Sequence, residues 1–158
     1  MGNKIYTAGF DIFHPQAGQH MQNIQHLCIQ HGFDPAFQTE APVGSAPAAD
    51  DILKMNLERI DACDIVAANV NPFRGHEMDS GTAFEIGYAH AKGKIIYAYM
   101  DDTRTMVEKM GSQTDAAGYR VEDFGLPLNL MIACTSKLVK GDLQDCLQAI
   151  CNDAPFTE

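Results

Sequence analysis

Two carboxylates, Asp79 and Glu85, stand six positions apart in the stretch Asn71 to His90, Asn-Pro-Phe-Arg-Gly-His-Glu-Met-Asp-Ser-Gly-Thr-Ala-Phe-Glu-Ile-Gly-Tyr-Ala-His. Glu85 is the unusual one. Its helical neighbours at three and four positions are Gly81, Thr82, Tyr88 and Ala89, none of them a cation, so it is no surface ion-pair glutamate. Phe84 and Ile86 flank it. A carboxylate in such company is costly unless something compensates it. A helix-borne glutamate can attack a sugar carbon while a second acid protonates the leaving group. That is the logic of retaining glycosyl transfer, with a covalent ester between two displacements. The transition state is oxocarbenium-like, so a fixed anion beside it is stabilising. The competing reading, a glutamate on a solvated helix flank, predicts no cavity at Glu85.

The surrounding elements explain how such a pair is positioned. The apolar run Ile65 to Val70 reads as a strand buried on both faces. Pro72 stops it, and Gly75 supplies turn freedom. Asp79 or Ser80 can cap the helix that Gly81 and Thr82 begin, which runs from about Ser80 to Lys92. The pair therefore sits just past the carboxyl end of a strand, where open α/β sheets bind ligands.

Upstream, Lys4 to Ala8 reads as the first strand, ended by Gly9, with a loop from Phe10 to Gly18. Met21, Ile24, Leu27 and Cys28 have helical spacing within Gln19 to His31. Phe33 to Phe37 is a weak strand containing Pro35, and Glu40 to Ala49 is a Pro-, Ala-, Gly- and Ser-rich loop. Asp50 and Asp51 open a second helix whose buried face is Leu53, Leu57 and Ile60. Downstream, Lys94 to Met100 is strand four, and Thr103 to Met110 a short helix within the irregular stretch to Pro127. Leu128 to Ala133 is a turn or short helix, Lys137 to Val139 a fifth strand and Asp142 to Cys151 a last helix. This alternation predicts one α/β domain over 1–158, a parallel sheet with helices on both faces.

Composition narrows the function. A net charge of −10 argues against nucleic acid and anionic membranes as partners, while leaving a neutral nucleoside possible. No run is long and apolar enough to cross a bilayer. Five cysteines without C-x-x-C spacing, and no signal-peptide pattern at the start, predict reduced thiols in the cytoplasm. There is no G-x-G-x-x-G after the first strand, no P-loop and no G-x-S-x-G. The six histidines lack zinc-site spacing. No cofactor or metal is expected.

Three blocks now carry a resemblance: Pro72-Phe73-Arg74-Gly75-His76-Glu77-Met78-Asp79, then Gly81-Thr82-Ala83-Phe84-Glu85-Ile86-Gly87, then Gly125-Leu126-Pro127-Leu128-Asn129-Leu130-Met131, with an opening Lys4-Ile5-Tyr6-Thr7-Ala8-Gly9. In this order they resemble the nucleoside 2-deoxyribosyltransferase family, and its kinetoplastid-type members most. The resemblance implies a flavodoxin-like three-layer α/β/α sandwich with a five-stranded parallel sheet. It implies transfer of 2-deoxyribose between nucleobases in nucleoside salvage, with nucleosides and free bases as substrates. It assigns Glu85 as nucleophile, Asp79 as the second acid and Tyr6 as the phenol that orients the nucleophile. Asn129 is expected to bind a sugar hydroxyl in a neighbouring subunit's site, which implies a dimer-based homo-oligomer, up to a hexamer. Gly9, Gly81, Gly75 and Met131 are expected to line the substrate. Arg74 is placed to stack on or hydrogen-bond the base, and Phe13 to wall it; Phe84 is assigned to the core. Some bacterial members carry an Asp near the base where this chain has Asn56. A neutral amide there can hydrogen-bond a base but cannot protonate it. Proton delivery would then fall to Asp79 or water, or base preference would differ.

Two other functions fit the same residues. A deoxynucleoside 5′-monophosphate N-glycosidase would need a phosphate nest, for which Ser45, Ser80 and Ser112 are the candidates. A non-catalytic nucleoside sensor would have no need of an uncompensated carboxylate.

Overall fold

A computed structural model describes residues 3–36 and 47–153. Five parallel strands form one sheet in the order β2-β1-β3-β4-β5. They are β1 (Lys4–Ala8), β2 (Asp34–Pro35), β3 (Ile65–Asn69), β4 (Ile95–Met100) and β5 (Lys137–Lys140). β3 is buried throughout, as an apolar run covered on both faces should be. Tyr6 lies opposite Val66, and Val66 opposite Ile96, so these three side chains share a face. The strand order reverses between β1 and β3, which opens a crevice at their carboxyl ends.

The period-2 alternation splits the core in two. Tyr6, Ala8, Val66, Ala68, Ile96 and Ala98 face helices α2 (Ala49–Ala62) and α3 (Ser80–Ala91). Ile5, Ile65, Ala67, Tyr97 and Tyr99 face α1 (Ala17–Gln30) and α6 (Leu143–Asp153). The three-layer α/β/α sandwich follows. Small residues let α3 lie close to the sheet, and Ile86 and Ala89 are fully buried there. Two short helices, α4 (Met106–Met110) and α5 (Leu130–Ala133), interrupt the long connection before β5.

Several expectations need correction. The stretch after β1 is not all loop: Phe10–Phe13 forms a 3₁₀ turn and α1 begins at Ala17. β2 shrinks to two residues, because proline has no amide to give the sheet ladder; Phe37 lies outside the described residues. So does most of the Glu40 to Ala49 loop, with Ser45. Leu53 is 47% exposed, so of the predicted face of α2 only Ile60 is buried and Leu57 is half-buried. Phe84 is 56% exposed and is not core. α6 runs past the expected Cys151 to Asp153, whose carboxylate accepts hydrogen bonds from Tyr97 Oη and Lys137 Nζ, both at 3.0 Å. Residues 154–158 lie outside the described ones.

Candidate active site

The site is built where β1 and β3 end and α3 begins. Asp79 is the N-cap of α3, with extended backbone angles. Its Oδ2 accepts from the Thr82 amide and from Thr82 Oγ1, both at 2.9 Å. Thr82 is buried, so this pair fixes the Asp79 carboxylate against the helix start. The helix dipole favours the anion there. A Cβ on Gly81 would come 3.1 Å from Asp79 Oδ2, which accounts for a glycine at that position.

One turn further along α3, Glu85 points back to the sheet. Tyr6 Oη donates to Glu85 Oε1 at 2.7 Å, across 79 residues of chain. Asn56 Nδ2, from α2, donates to the same oxygen at 3.3 Å. Among the described residues Oε2 accepts no hydrogen bond, which leaves its lone pairs free. Burial holds the Glu85 carboxyl above its ordinary range; the charge of Asp79 raises it further, while the bonds from Tyr6 and Asn56 pull the other way. The Tyr6 phenol is held far above its ordinary value, first by burial and then by the neighbouring Glu85, so it remains a donor. The arrangement is a partly desolvated carboxylate with one oxygen clamped and one presented. Such an oxygen has the chemistry of a nucleophile, with a second carboxylate close enough for its charge to act on it.

A polar frame at the carboxyl ends of the strands was not revealed by local sequence. Asp11 bonds His20 Nε2 at 2.8 Å through Oδ1 and accepts from Asn69 Nδ2 at 3.2 Å through Oδ2. Asn69 Oδ1 accepts from Asn71 Nδ2 at 3.0 Å, and Asn71 Oδ1 accepts from the Asp101 amide at 3.0 Å. The frame ties together the ends of β1, β3 and β4. It also explains Gly9: a Cβ there would fall 2.6 Å from Asp11 Oδ2 and 2.8 Å from Asn69 Cβ.

Phe13 and Arg74 gather in a second cluster. Phe73 stacks on Phe10 at 4.7 Å and on Phe13 at 5.6 Å between ring centroids. The Arg74 guanidinium lies over Phe73 and Phe13, at 4.6 and 5.0 Å from the ring centres. Arg74 holds a left-handed φ of 55° and Gly75 one of 142°. The turn there is tight, and the glycine meets its second positive φ. The stacking partners Phe10 and Phe73 were not singled out from sequence.

Asn129 sits apart. It caps α5, its Oδ1 accepting from the Met131 amide at 2.9 Å, while its Nδ2 donates to Glu122 Oε1 at 3.1 Å. With Glu122, His76, Glu77 and Tyr119 it lines a cleft of about 230 Å³. Met131 beside it is 67% exposed. The structure thus brings Tyr6, Asn56, Asp79 and Glu85 together and leaves Asn129 and Met131 on a neighbouring surface. Of the serine candidates for a phosphate nest, Ser80 opens α3 and Ser112 Oγ accepts from the Thr114 amide. Among the described residues no cluster of His, Cys, Asp and Glu could hold a metal ion. No helix there is long and apolar enough to cross a membrane.

Comparison with known proteins identifies the family and the fold. A protein from Schizosaccharomyces pombe described as uncharacterized protein C191.05c is 33% identical over 115 residues, 68% of this chain and 54% of the relative. The chain therefore spans about half the length of that curated relative. The solved 2-desoxiribosyltransferase from Leishmania mexicana superposes with a TM-score of 0.82 at 36% identity, covering 95% of this chain and 97% of that one. A CMP N-glycosidase from Clostridium botulinum shares the fold, with a TM-score of 0.53 at 17% identity over 94% of this chain and 98% of its own. Residues 5–131 match the family described as nucleoside 2-deoxyribosyltransferase, a span that holds Tyr6, Asn56, Asp79, Glu85 and Asn129. The chain belongs to the nucleoside 2-deoxyribosyltransferase family.

Proposed function

We propose that this protein exchanges the base of 2-deoxynucleosides through a covalent deoxyribosyl ester on Glu85. The observation that carries the reading is the Glu85 carboxylate: partly desolvated, gripped at Oε1 by Tyr6 and Asn56, and open at Oε2.

In the first displacement Oε2 attacks C1′ of the deoxyribose. The C1′–N bond breaks, its electron pair leaves with the base, and the base takes its proton from water, since Asp79 stays an anion and the Asn56 amide cannot protonate it. Forming the ester removes a negative charge that burial disfavours, so part of the desolvation cost is recovered as the reaction proceeds. The sugar carries positive charge in between, which the capped Asp79 carboxylate stabilises. In the second displacement a nitrogen of the incoming base attacks C1′. The ester C–O bond breaks, the carboxylate is regenerated, and the new nucleoside sheds its extra proton. Both attacks invert C1′, so the overall outcome is retention.

The other assignments follow the family. Arg74 and Phe13, held in one stack with Phe73, bound the base. Asn129 serves the sugar hydroxyls of a neighbouring subunit, in a dimer-based homo-oligomer. The uncovered side chains Phe13, Phe84 and Met131 support a surface that a second copy would cover. All five cysteines are free thiols, which suits the reducing cytoplasm.

The test is a base-exchange assay with purine and pyrimidine 2-deoxynucleosides and free acceptor bases, for wild type and Glu85→Ala. Wild type exchanges bases and Glu85→Ala does not. Exchange by the variant at a near wild-type rate refutes the nucleophile. Hydrolysis without exchange, with preference for a 5′-monophosphate, shows an N-glycosidase instead. Binding without turnover shows a sensor.

A further inference from the structure

Asn56 is an ambiguous ligand for a carboxylate. Its amide can present a donor or an acceptor, and only one of the two helps an anion. Its neighbours decide which. Arg59, one helical turn along α2, donates from Nη1 to Asn56 Oδ1 at 3.3 Å. Arginine has donors and no acceptor, so the atom it faces must be the amide oxygen. The nitrogen is thereby turned toward Glu85, where it is found at 3.3 Å from Oε1. Among the described residues Arg59 forms no ion pair with a carboxylate, so its charge is not spent on a surface partner. The spacing of three positions on one helix makes the contact local and cheap to order.

We propose that Arg59 is a positioning residue for the nucleophile: it locks the Asn56 amide with its nitrogen toward Glu85 and so keeps that carboxylate ionised. The proposal deepens the deoxyribosyl-transfer reading and rests on it for the rate consequences. Without Arg59 the amide is free to turn. Its oxygen would then accept a hydrogen bond from a protonated Glu85 and repel an ionised one, so the carboxyl would take up a proton more readily. The groups that face Glu85 are Tyr6 from β1, Asn56 with Arg59 behind it from α2, and Asp79 from the cap of α3. Burial pushes the nearby Cys63 thiol up to about 11, so it stays neutral at working pH. Asp79 repels the charged form of Glu85. Among the described residues Arg59 is the cation that answers it, acting through the amide.

The experiment follows the Glu85 side-chain carboxyl by ¹³C chemical shift in glutamate-labelled protein, its signal assigned by its loss in Glu85→Gln. Wild type, Arg59→Met, Arg59→Lys, Asn56→Ala and the Asn56→Ala/Arg59→Met double variant are titrated in parallel. Arg59→Met keeps the stem and removes the donors; its Glu85 midpoint is expected to rise by about one pH unit. Arg59→Lys, which keeps the charge but not the fork, falls between it and wild type and serves as the readout should the Met variant not fold. In the Asn56→Ala background most of the Arg59→Met effect disappears. In base exchange by Arg59→Met the acid limb of the pH profile moves up by the same amount, about one pH unit, with KM for the free base unchanged. A Glu85 midpoint unmoved in both Arg59 variants overturns the proposal, even if their stability drops. A full-sized shift in the Asn56→Ala background overturns it too, since Arg59 would then act without the amide. The titration needs no turnover. A wild type that fails to exchange bases therefore refutes the transferase reading and leaves this inference to the carboxyl signal.

Discussion

Tyr6→Phe removes one oxygen and nothing else from the wall of the site. The phenol donates to Glu85 Oε1 at 2.7 Å, a short bond to a group that must be an anion to attack. Burial already lifts the Glu85 carboxyl, and the Tyr6 bond is the larger of the two contacts that resist this, Asn56 being the other. A hydrogen bond to a charged acceptor contributes about 1.5–3 kcal/mol. At about 1.4 kcal/mol per pH unit, its loss moves the Glu85 titration upward by about one to two pH units. The assay is the pH dependence of kcat/KM for base exchange, which reports the ionisation of the free enzyme. The acid limb of that profile is expected to move up by this amount, so the variant is most impaired at low pH. Above the displaced limb its rate returns to within about tenfold of wild type, because Asn56 still holds Oε1 and the remaining loss is one of orientation. The phenol is not the proton donor in this account, because its hydrogen is engaged by Glu85 Oε1. An acid limb that stays where wild type has it, with a uniform loss of rate at every pH, refutes this reasoning and assigns Tyr6 to packing or to proton transfer.

Two further outcomes follow from the same electrostatics. Asp79→Asn keeps an acceptor for the Thr82 amide but removes the charge that raises Glu85, so the acid limb moves down rather than up. Its kcat falls about a hundredfold, since the positive transition state loses its anion; pH–rate profiles read both effects. Glu85→Gln should stabilise the fold. The folded carboxyl titrates above its unfolded value, so its penalty is absent below the unfolded pKa and appears as pH rises through the folded one. Thermal unfolding should show a Tm gain of about 2–4 °C at pH 7, shrinking to nothing at pH 4. A gain that is the same at both pH values would show that charge is not its cause.

The sheet and the candidate carboxylate pair were legible in the sequence because both are local signals. The apolar run Ile65 to Val70 reads as a covered strand, and of the two cap candidates, Asp79 and Ser80, the structure chooses Asp79 through its bond from the Thr82 amide. Glu85 stood out by the company it keeps. What could not be read are the contacts made across chain distance. Asn69 meets Asp11 over 58 residues, and the bond of Tyr6 to Glu85 over 79 was expected from the family resemblance alone. Periodicity places each on a face but does not say which faces meet. Asn56 was legible as a neutral residue where some bacterial members carry an acid, but its bonds to Glu85 and from Arg59 were not. Arg59 had only one sequence signal, its spacing of three from Asn56 on a helix. Phe84 and Leu53 mislead for another reason. An apolar side chain signals burial only against what covers it, and both are exposed on this chain. Asn129 shows its local duty, capping α5, while any duty to a second copy lies in a surface that one chain does not contain.

The most direct measurement of the central claim is the intact mass of the protein incubated with a 2-deoxynucleoside and no acceptor base, followed by peptide mapping. The account predicts a mass increase of one deoxyribosyl group, carried on the peptide that contains Glu85 and discharged when a free base is added. Base exchange with no adduct on rapid quenching, or an adduct on any residue other than Glu85, would contradict it.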